Sequence, residues 1–298
     1  MSDRQQILDS YRRYAGLIRA MLTPSPSFMP ESEGPMAVQV ERGIVFPAAL
    51  VDPSTAHHSS VERLLELSDR DRFSRMAIVD ATGHHRPVFR ALLVYSWLQA
   101  FSTMYETLPR SEFGRWEEGL RPWCDLLEAE LGEIDWPRGP MPASRGANAS
   151  ESAWMALALQ IAGKIFVRDA WTDLASDTFG KLTRGRSEPG TFLTATPSDN
   201  PETHWYHELV ILHAAASYAV QAEDKPLATL VRSATDFHLA QTQPDHATNH
   251  PWALFAFVWN PRTHALADQL LHAASIHPSN LSLMLLADAV YCIELFLK

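Results

Sequence analysis

Hydrophobic positions along this chain recur with helical spacing. Apolar residues follow one another at steps of three and four over most of the sequence, whereas sustained alternation of β-branched residues is nearly absent. A first amphipathic helix is predicted from about Asp3 to Leu22, and a loop rich in Pro and Ser follows it. The pattern predicts an all-α protein.

Two kinds of helical segment alternate from residue 87 onward. Segments that are apolar around most of their circumference begin near Pro87, Ser150, Thr203, His250 and Ser279, and amphipathic segments lie between them. An all-apolar helix is expected to be buried and an amphipathic one half exposed. The alternation predicts helical hairpins in two layers, either closed into an (α/α) toroid or left open as an α-solenoid or irregular bundle. The uneven loop lengths favour the toroid.

The 298 residues are enough for one large domain with a sizeable core. We expect a single all-α domain over 1–298. It would comprise an N-terminal helix and loop (1–40), a less regular helical segment (41–86) and the alternating hairpins (87–298).

Three long loops connect an amphipathic segment back to the next apolar one, at about 135–150, 183–204 and 241–250. Connections in a hairpin array alternate between its two ends, so these three loops should gather at one end, which we call the loop rim. Long ordered loops often carry function, and helix N-termini at that end favour an anion. We place the candidate substrate-binding residues at the loop rim: Arg145, Arg186, Glu202, His204, Trp205, Asp245, His246, Asn249 and Trp252.

The stretch "PETHWYHELVILH" (201–213) has the composition of a zinc-binding helix. However, a separation of six residues places His207 and His213 about 120° apart around a helix, so they cannot bind one ion. His204 and His207 with Glu208 could share a face, but nothing fixes a third ligand. We therefore predict no metal and no other cofactor, and keep a metal-dependent hydrolase as a minor alternative. His213 is expected to be a core histidine that is hydrogen-bonded to a neighbour.

The segment "PGTFLTATPSDNPETHWYHELVILHAAASYA" resembles part of the (α/α)-toroid polysaccharide lyases, the alginate and heparinoid lyase group. The resemblance lies in Gly190-Thr191-Phe192 leading to Tyr206-His207, and in an Asn249-His250 pair at the start of another apolar helix. It implies β-elimination on an acidic sugar. Asn249 would hold the carboxylate, His207 or His250 would take the proton, and Tyr206 would protonate the leaving oxygen.

Other residues suit an acidic sugar less specifically. Arg145, Arg184 or Arg186 could bind its carboxylates. A glycosidase would instead need two carboxylates across a cleft, for which Glu188, Glu202, Glu208 and Asp245 are candidates.

Charge and composition limit the classes of partner and the compartment that we expect for this protein. A net charge of −10 without a basic cluster argues against nucleic acid. No apolar run approaches the roughly 20 residues of a membrane span. Cys124 and Cys292 lie in apolar helical patterns and are expected to be buried thiols, which suits a reducing compartment. The amphipathic N-terminus does not resemble a signal peptide, so we expect a cytoplasmic protein.

Two functional hypotheses follow. One is a carbohydrate-active protein with lyase or glycosidase chemistry on an acidic oligosaccharide. The other is a non-catalytic helical repeat protein that binds another protein or a small ligand. The sequence does not decide whether the protein is an enzyme, and it does not indicate an oligomeric state.

Overall fold

The computed structural model describes residues 3–22, 88–104, 109–184, 190–195, 199–242, 250–276 and 280–298. Within these ranges the chain is all-α, as predicted, and its only strands are a parallel pair of two residues each. The predicted irregular segment 41–86 lies outside the described residues.

Ten α-helices occur in the described part of the chain. They are α1 (Asp3–Leu22), α2 (Val88–Met104), α3 (Arg110–Gly132), α4 (Gly146–Ile165), α5 (Asp169–Leu182), α6 (Pro201–Gln221), α7 (Lys225–Gln241), α8 (Leu254–Trp259), α9 (His264–Ile276) and α10 (Asn280–Leu297). Short 3₁₀ turns at Ala143–Arg145 and Pro261–Thr263 precede α4 and α9, and the strands are β1 (Met141–Pro142) and β2 (Leu193–Thr194).

The chain divides into two compact units. Unit 1 comprises Met1–Thr23, Trp136–Ala153 and Phe179–Lys298. Unit 2 comprises Pro24–Asp135 and Trp154–Thr178. The single domain over 1–298 stays a prediction.

Unit 1 is built around three buried helices. Helices α6, α8 and α10 contact one another in all three pairings, α7 packs on α6 and α8, α9 packs on α8, and α1 packs on α10. The central turns of α6, α8 and α10 are almost entirely buried, whereas α1, α7 and α9 each expose one face. The predicted alternation of buried and half-exposed helices is therefore present in unit 1.

Unit 2 has an aromatic core between α2 and α3. Trp97, Trp116 and Trp123 are fully buried, and Phe101 stacks on Trp116 with ring centroids 5.5 Å apart. Pro122 lies inside α3, which runs from Arg110 to Gly132.

Helix α6 starts as its sequence indicates. The Asn200 side chain accepts hydrogen bonds from the N–H groups of Glu202 and Thr203, and Pro201 occupies the first turn, where its missing N–H costs nothing.

Two other buried helices start elsewhere than predicted. Helix α4 begins at Gly146 rather than near Ser150, because the 3₁₀ turn before it leads directly into helical backbone. Helix α8 begins at Leu254 rather than near His250, because Ala253 has a left-handed backbone with φ 60° and ψ 16°. Residues 250–253 therefore form a tight turn instead of a first helical turn.

Both cysteines are free and buried, as expected. Burial raises the pKa of the Cys124 and Cys292 thiols, and the neighbouring carboxylates of Asp125 and Asp288 respectively raise them further. Thiols of this kind are poor nucleophiles, so neither cysteine is a catalytic candidate.

Candidate functional site

Two of the three long loops meet in the structure. Strand β1, from the loop before α4, pairs in parallel with β2, from the loop before α6, with Met141 opposite Leu193 and Pro142 opposite Thr194. This contact confirms that these two loops lie together. Their position at one end of a two-layer hairpin array stays a prediction. The third loop, 243–249, lies outside the described residues, and with it Asp245, His246 and Asn249.

Glu208 fastens the β2 loop to helix α6. Its two carboxylate oxygens accept the backbone N–H groups of Phe192, at 2.9 Å, and of Leu193, at 2.6 Å. The Glu208 side chain is fully buried, so the two hydrogen bonds compensate the loss of its hydration. The sequence made Glu208 a candidate glycosidase carboxylate. The structure instead gives Glu208 two backbone donors and no exposed surface.

Gly190 lets the same loop approach helix α7. Its φ is +120°, a backbone conformation that L side chains rarely adopt, and a Cβ at this position would lie 2.6 Å from Cβ of Phe237. The Gly-Thr-Phe element of the sequence therefore has a structural explanation in the path of the β2 loop.

His207 is held in one orientation by Ser150. The Ser150 hydroxyl donates to the carbonyl of Gly146 at 2.8 Å, and its oxygen lies 2.9 Å from Nδ1 of His207. Since the single hydroxyl hydrogen is already used, Nδ1–H of His207 is the donor in the second bond. The basic lone pair of the neutral imidazole is then on Nε2, the tautomer that a general base with this atom requires.

The backbone of α4 also fixes the position of this ring. A Cβ added at Gly146 would lie 2.8 Å from Cδ2 of His207 and 3.0 Å from its Cγ. Only glycine allows this close approach of the helix start to the imidazole.

Tyr206 lies beside His207. The two rings have their centroids 5.2 Å apart in an edge-on arrangement, and both side chains are half-buried in the first two turns of α6. The Tyr206 ring also packs edge-on with Trp252, and the two ring centroids lie 6.2 Å apart. Trp252 is completely buried, so the structure places this candidate in the core rather than on an exposed surface.

His250 opens the turn that carries Trp252. Its side chain is half-buried, and its Nδ1 lies 3.1 Å from Oγ of Ser282 on α10. The backbone N–H of Trp252 donates to the carbonyl of His250 at 2.8 Å, which closes the turn. His250 is therefore bonded to the backbone of Trp252, whose ring packs against Tyr206.

His204 and His238 form a second histidine neighbourhood around Trp205. The centroid of the Trp205 ring lies 4.5 Å from the His204 ring centroid and 6.0 Å from the His238 ring centroid. His238 is fully buried, and burial lowers its pKa to about 3, with the nearby His204 as a smaller cause. Burial also lowers the pKa of His204, while Asp199 acts in the opposite direction. Both rings are therefore neutral near pH 7.

The remaining described candidates are exposed. Glu202 lies in the first turn of α6, Arg145 ends the 3₁₀ turn before α4, and Arg184 follows α5. Arg186 and Glu188 lie outside the part of the chain that the structure describes.

His213 is a core histidine, as predicted. It is buried, its Nδ1 accepts the N–H of Ala253 at 3.0 Å, and its Nε2 lies 2.8 Å from Asp288. Because Nδ1 accepts, Nε2 carries the hydrogen and donates to the carboxylate. Ser217 donates to the same Asp288 oxygen.

Sequence reasoning missed Ser150, Gly146 and Ser282 as partners of the two candidate histidines. One local signal was available: a Gly and a Ser four residues apart at a helix start allow the Ser hydroxyl to bond the Gly carbonyl. Nothing in the sequence linked that pair to a histidine 57 residues further on.

Metal ligands do not cluster in the ranges described above: they contain no group of three or more His, Cys, Asp or Glu side chains that could hold an ion. Over the same ranges, no helix has the length and apolar character needed to cross a membrane.

Comparison with known proteins yields no relative. No protein-family model matches this chain, no curated protein is similar to it, and no solved structure matches it.

Proposed function

We propose that this protein is a carbohydrate-active enzyme with an (α/α) toroid-like fold, which cleaves an acidic oligosaccharide by β-elimination. The observation that carries the proposal is the placement of Tyr206 and His207. They are adjacent, half-buried rings at the start of a buried helix, and Ser150 directs the basic lone pair of His207 to Nε2.

The proposed reaction needs one base and one acid. Nε2 of His207 takes the C5 proton of a uronide, the electron pair left on C5 forms the C4–C5 double bond, and the bond from C4 to the leaving oxygen breaks. The Tyr206 hydroxyl gives its proton to that oxygen. Proton transfer by positioned groups of this kind contributes about 100-fold or more to a rate. The exposed cation Arg145 would bind a substrate carboxylate.

Glu208 does not fit the role of a glycosidase carboxyl group. A glycosidase needs two carboxyl groups that face the substrate. Both oxygens of Glu208 accept backbone N–H groups, and the side chain has no exposed surface. This observation removes Glu208 from the glycosidase candidates.

The toroid-like arrangement is supported by unit 1. There the buried helices α6, α8 and α10 contact one another, and the half-exposed helices α1, α7 and α9 pack against them.

The proposal is tested by incubating the protein with oligouronides and neutral glycans and following the ultraviolet absorbance of the unsaturated product. His207→Ala and Tyr206→Phe should each lower the rate about 100-fold or more. His272→Gln, at an exposed position of α9, is the matched control and should keep the wild-type rate. Product formation at the same rate in all four proteins would refute the residue assignment. Binding of an oligouronide without any product would instead favour a non-catalytic binding protein.

A further inference from the structure

The turn at residues 250–253 is held from both ends by buried polar groups of unit 1. At its start, Nδ1 of His250 lies 3.1 Å from the Ser282 hydroxyl on α10. At its end, the backbone N–H of Ala253 donates to Nδ1 of His213 at 3.0 Å. Ala253 has a left-handed backbone, which is unfavourable for alanine, so the hydrogen bond to His213 stabilises a strained conformation.

Asp288 determines which nitrogen of His213 can accept. Its carboxylate takes the Nε2–H of His213 at 2.8 Å and also accepts from Ser217, and Sγ of Cys292 lies 3.7 Å from its second oxygen. With Nε2 protonated, Nδ1 keeps its lone pair for Ala253. A carboxylate that fixes the tautomer of a histidine in this way is a common structural device.

Trp252 belongs to this turn and packs against a residue of the proposed site. Its ring packs edge-on against His213 at 5.7 Å and edge-on against Tyr206 at 6.2 Å. The same indole therefore lies between the buried pair and the tyrosine. Displacing Ala253 would move Trp252, whose ring packs against Tyr206.

We propose that His213 and Asp288 are positioning residues: through the Ala253 N–H they hold the 250–253 turn so that Trp252 sets the orientation of Tyr206. The consequence for catalysis rests on the proposed function, whereas the consequence for the turn does not. His213 and Asp288 are buried, so neither side chain is accessible to a substrate. Their effect on a reaction would be on the turnover of bound substrate, not on its capture.

The test compares His213→Leu, His213→Asn and Leu270→Ala in the full chain. In His213→Asn the amide oxygen can take the place of Nδ1 and accept from Ala253, whereas leucine cannot accept. Leu270 is a buried residue of α9, and its truncation weakens the fold without removing a bond to the turn. Two quantities are measured for each variant: amide hydrogen exchange at Ala253 relative to the α10 amides, and kcat and KM on any oligouronide that the wild type cleaves.

We expect the Ala253 amide to exchange at least tenfold faster in His213→Leu than in the wild type, relative to α10. His213→Asn should restore most of the protection, and Leu270→Ala should change the core amides together. With a substrate, kcat should follow the same order and KM should change little.

Unchanged Ala253 exchange in His213→Leu would overturn the positioning role, whether or not the protein is an enzyme. Altered exchange with an unchanged kcat would overturn its catalytic consequence. A wild type that cleaves no oligouronide would refute the proposed function. The exchange measurement would still decide whether His213 holds the 250–253 turn.

Discussion

His213 and Asp288 form a buried hydrogen-bonded pair, 2.8 Å apart, that joins helix α6 to helix α10. The other ring nitrogen of His213 accepts the Ala253 N–H at the start of α8. One imidazole therefore connects the three buried helices of unit 1 by polar bonds as well as by packing.

Removing the carboxylate of this pair should destabilise the fold. Asp288→Ala leaves the donors of His213 and Ser217 buried without their acceptor, which should lower the free energy of unfolding by about 3 kcal/mol. Asp288→Asn keeps one oxygen as an acceptor and should cost clearly less. Urea denaturation of the three proteins measures both effects. Equal stability of wild type and Asp288→Ala would show that the carboxylate does not stabilise the fold.

Glu208 should matter more for its two acceptor oxygens than for its charge. In Glu208→Gln an amide NH₂ replaces one oxygen and faces a backbone N–H of the β2 loop, so the unfolding free energy should fall by about 2 kcal/mol. Glu202→Gln, on the exposed first turn of the same helix, is the control and should stay within about 0.5 kcal/mol of wild type. Equal urea midpoints for the two variants would show that Glu208 does not fasten the loop.

Gly146 should be needed for the position of His207. In Gly146→Ala the new Cβ would lie 2.8 Å from the imidazole, so the ring should move and lose its bond to Ser150. A misplacement of a catalytic group by about 1 Å can lower a rate about 100-fold. Gly180→Ala is the matched control, because a Cβ there meets nothing within 4 Å and alanine favours its helix by about 1 kcal/mol.

The readout for Gly146 is the ¹⁵N signal of the His207 side chain. We expect a protonated Nδ1 and an unprotonated Nε2 in wild type and in Gly180→Ala, and a changed pattern in Gly146→Ala. An unchanged pattern in Gly146→Ala would show that the imidazole accommodates the added Cβ and keeps its bond to Ser150.

His238 should make stability depend on pH. Its pKa in the folded state is lowered to about 3, from an ordinary value of 6.5, so the unfolded chain binds one more proton than the folded protein between these values. Its contribution is therefore fully present above about pH 6.5 and is lost as the pH falls towards 3, at up to about 1 kcal/mol per pH unit.

Urea denaturation between about pH 7 and about pH 4 checks this sign and slope. His238→Phe removes the titrating group and should flatten the curve, whereas the exposed His272→Gln should not. A steep curve that is identical in His238→Phe would assign the effect to other groups.

The sequence predicted the features that the spacing of apolar residues controls. The all-α class, the alternation of buried and half-exposed helices in unit 1, and the core position of His213 all depend on local spacing of apolar residues. The convergence of two long loops followed from counting connections in a hairpin array, and the pairing of Met141 with Leu193 bears it out.

Long-range polar contacts could not be predicted in the same way. Glu208 lies among polar neighbours in sequence, and only the folded loop brings the Phe192 and Leu193 donors to it. The left-handed backbone at Ala253 shortens α8, yet alanine carries no signal for that conformation. The partners of His207 and His250 are serines from distant helices, and a single serine is too common a residue to point to either contact.

We propose that Tyr206 and His207 act together on an acidic oligosaccharide. The most direct test of this proposal is the initial rate at which the wild type and Tyr206→Phe generate ultraviolet-absorbing unsaturated product from oligouronides. We expect measurable product with the wild type and a rate lower by about 100-fold or more in the variant. The absence of unsaturated product from every oligouronide, or equal rates in the two proteins, would contradict it.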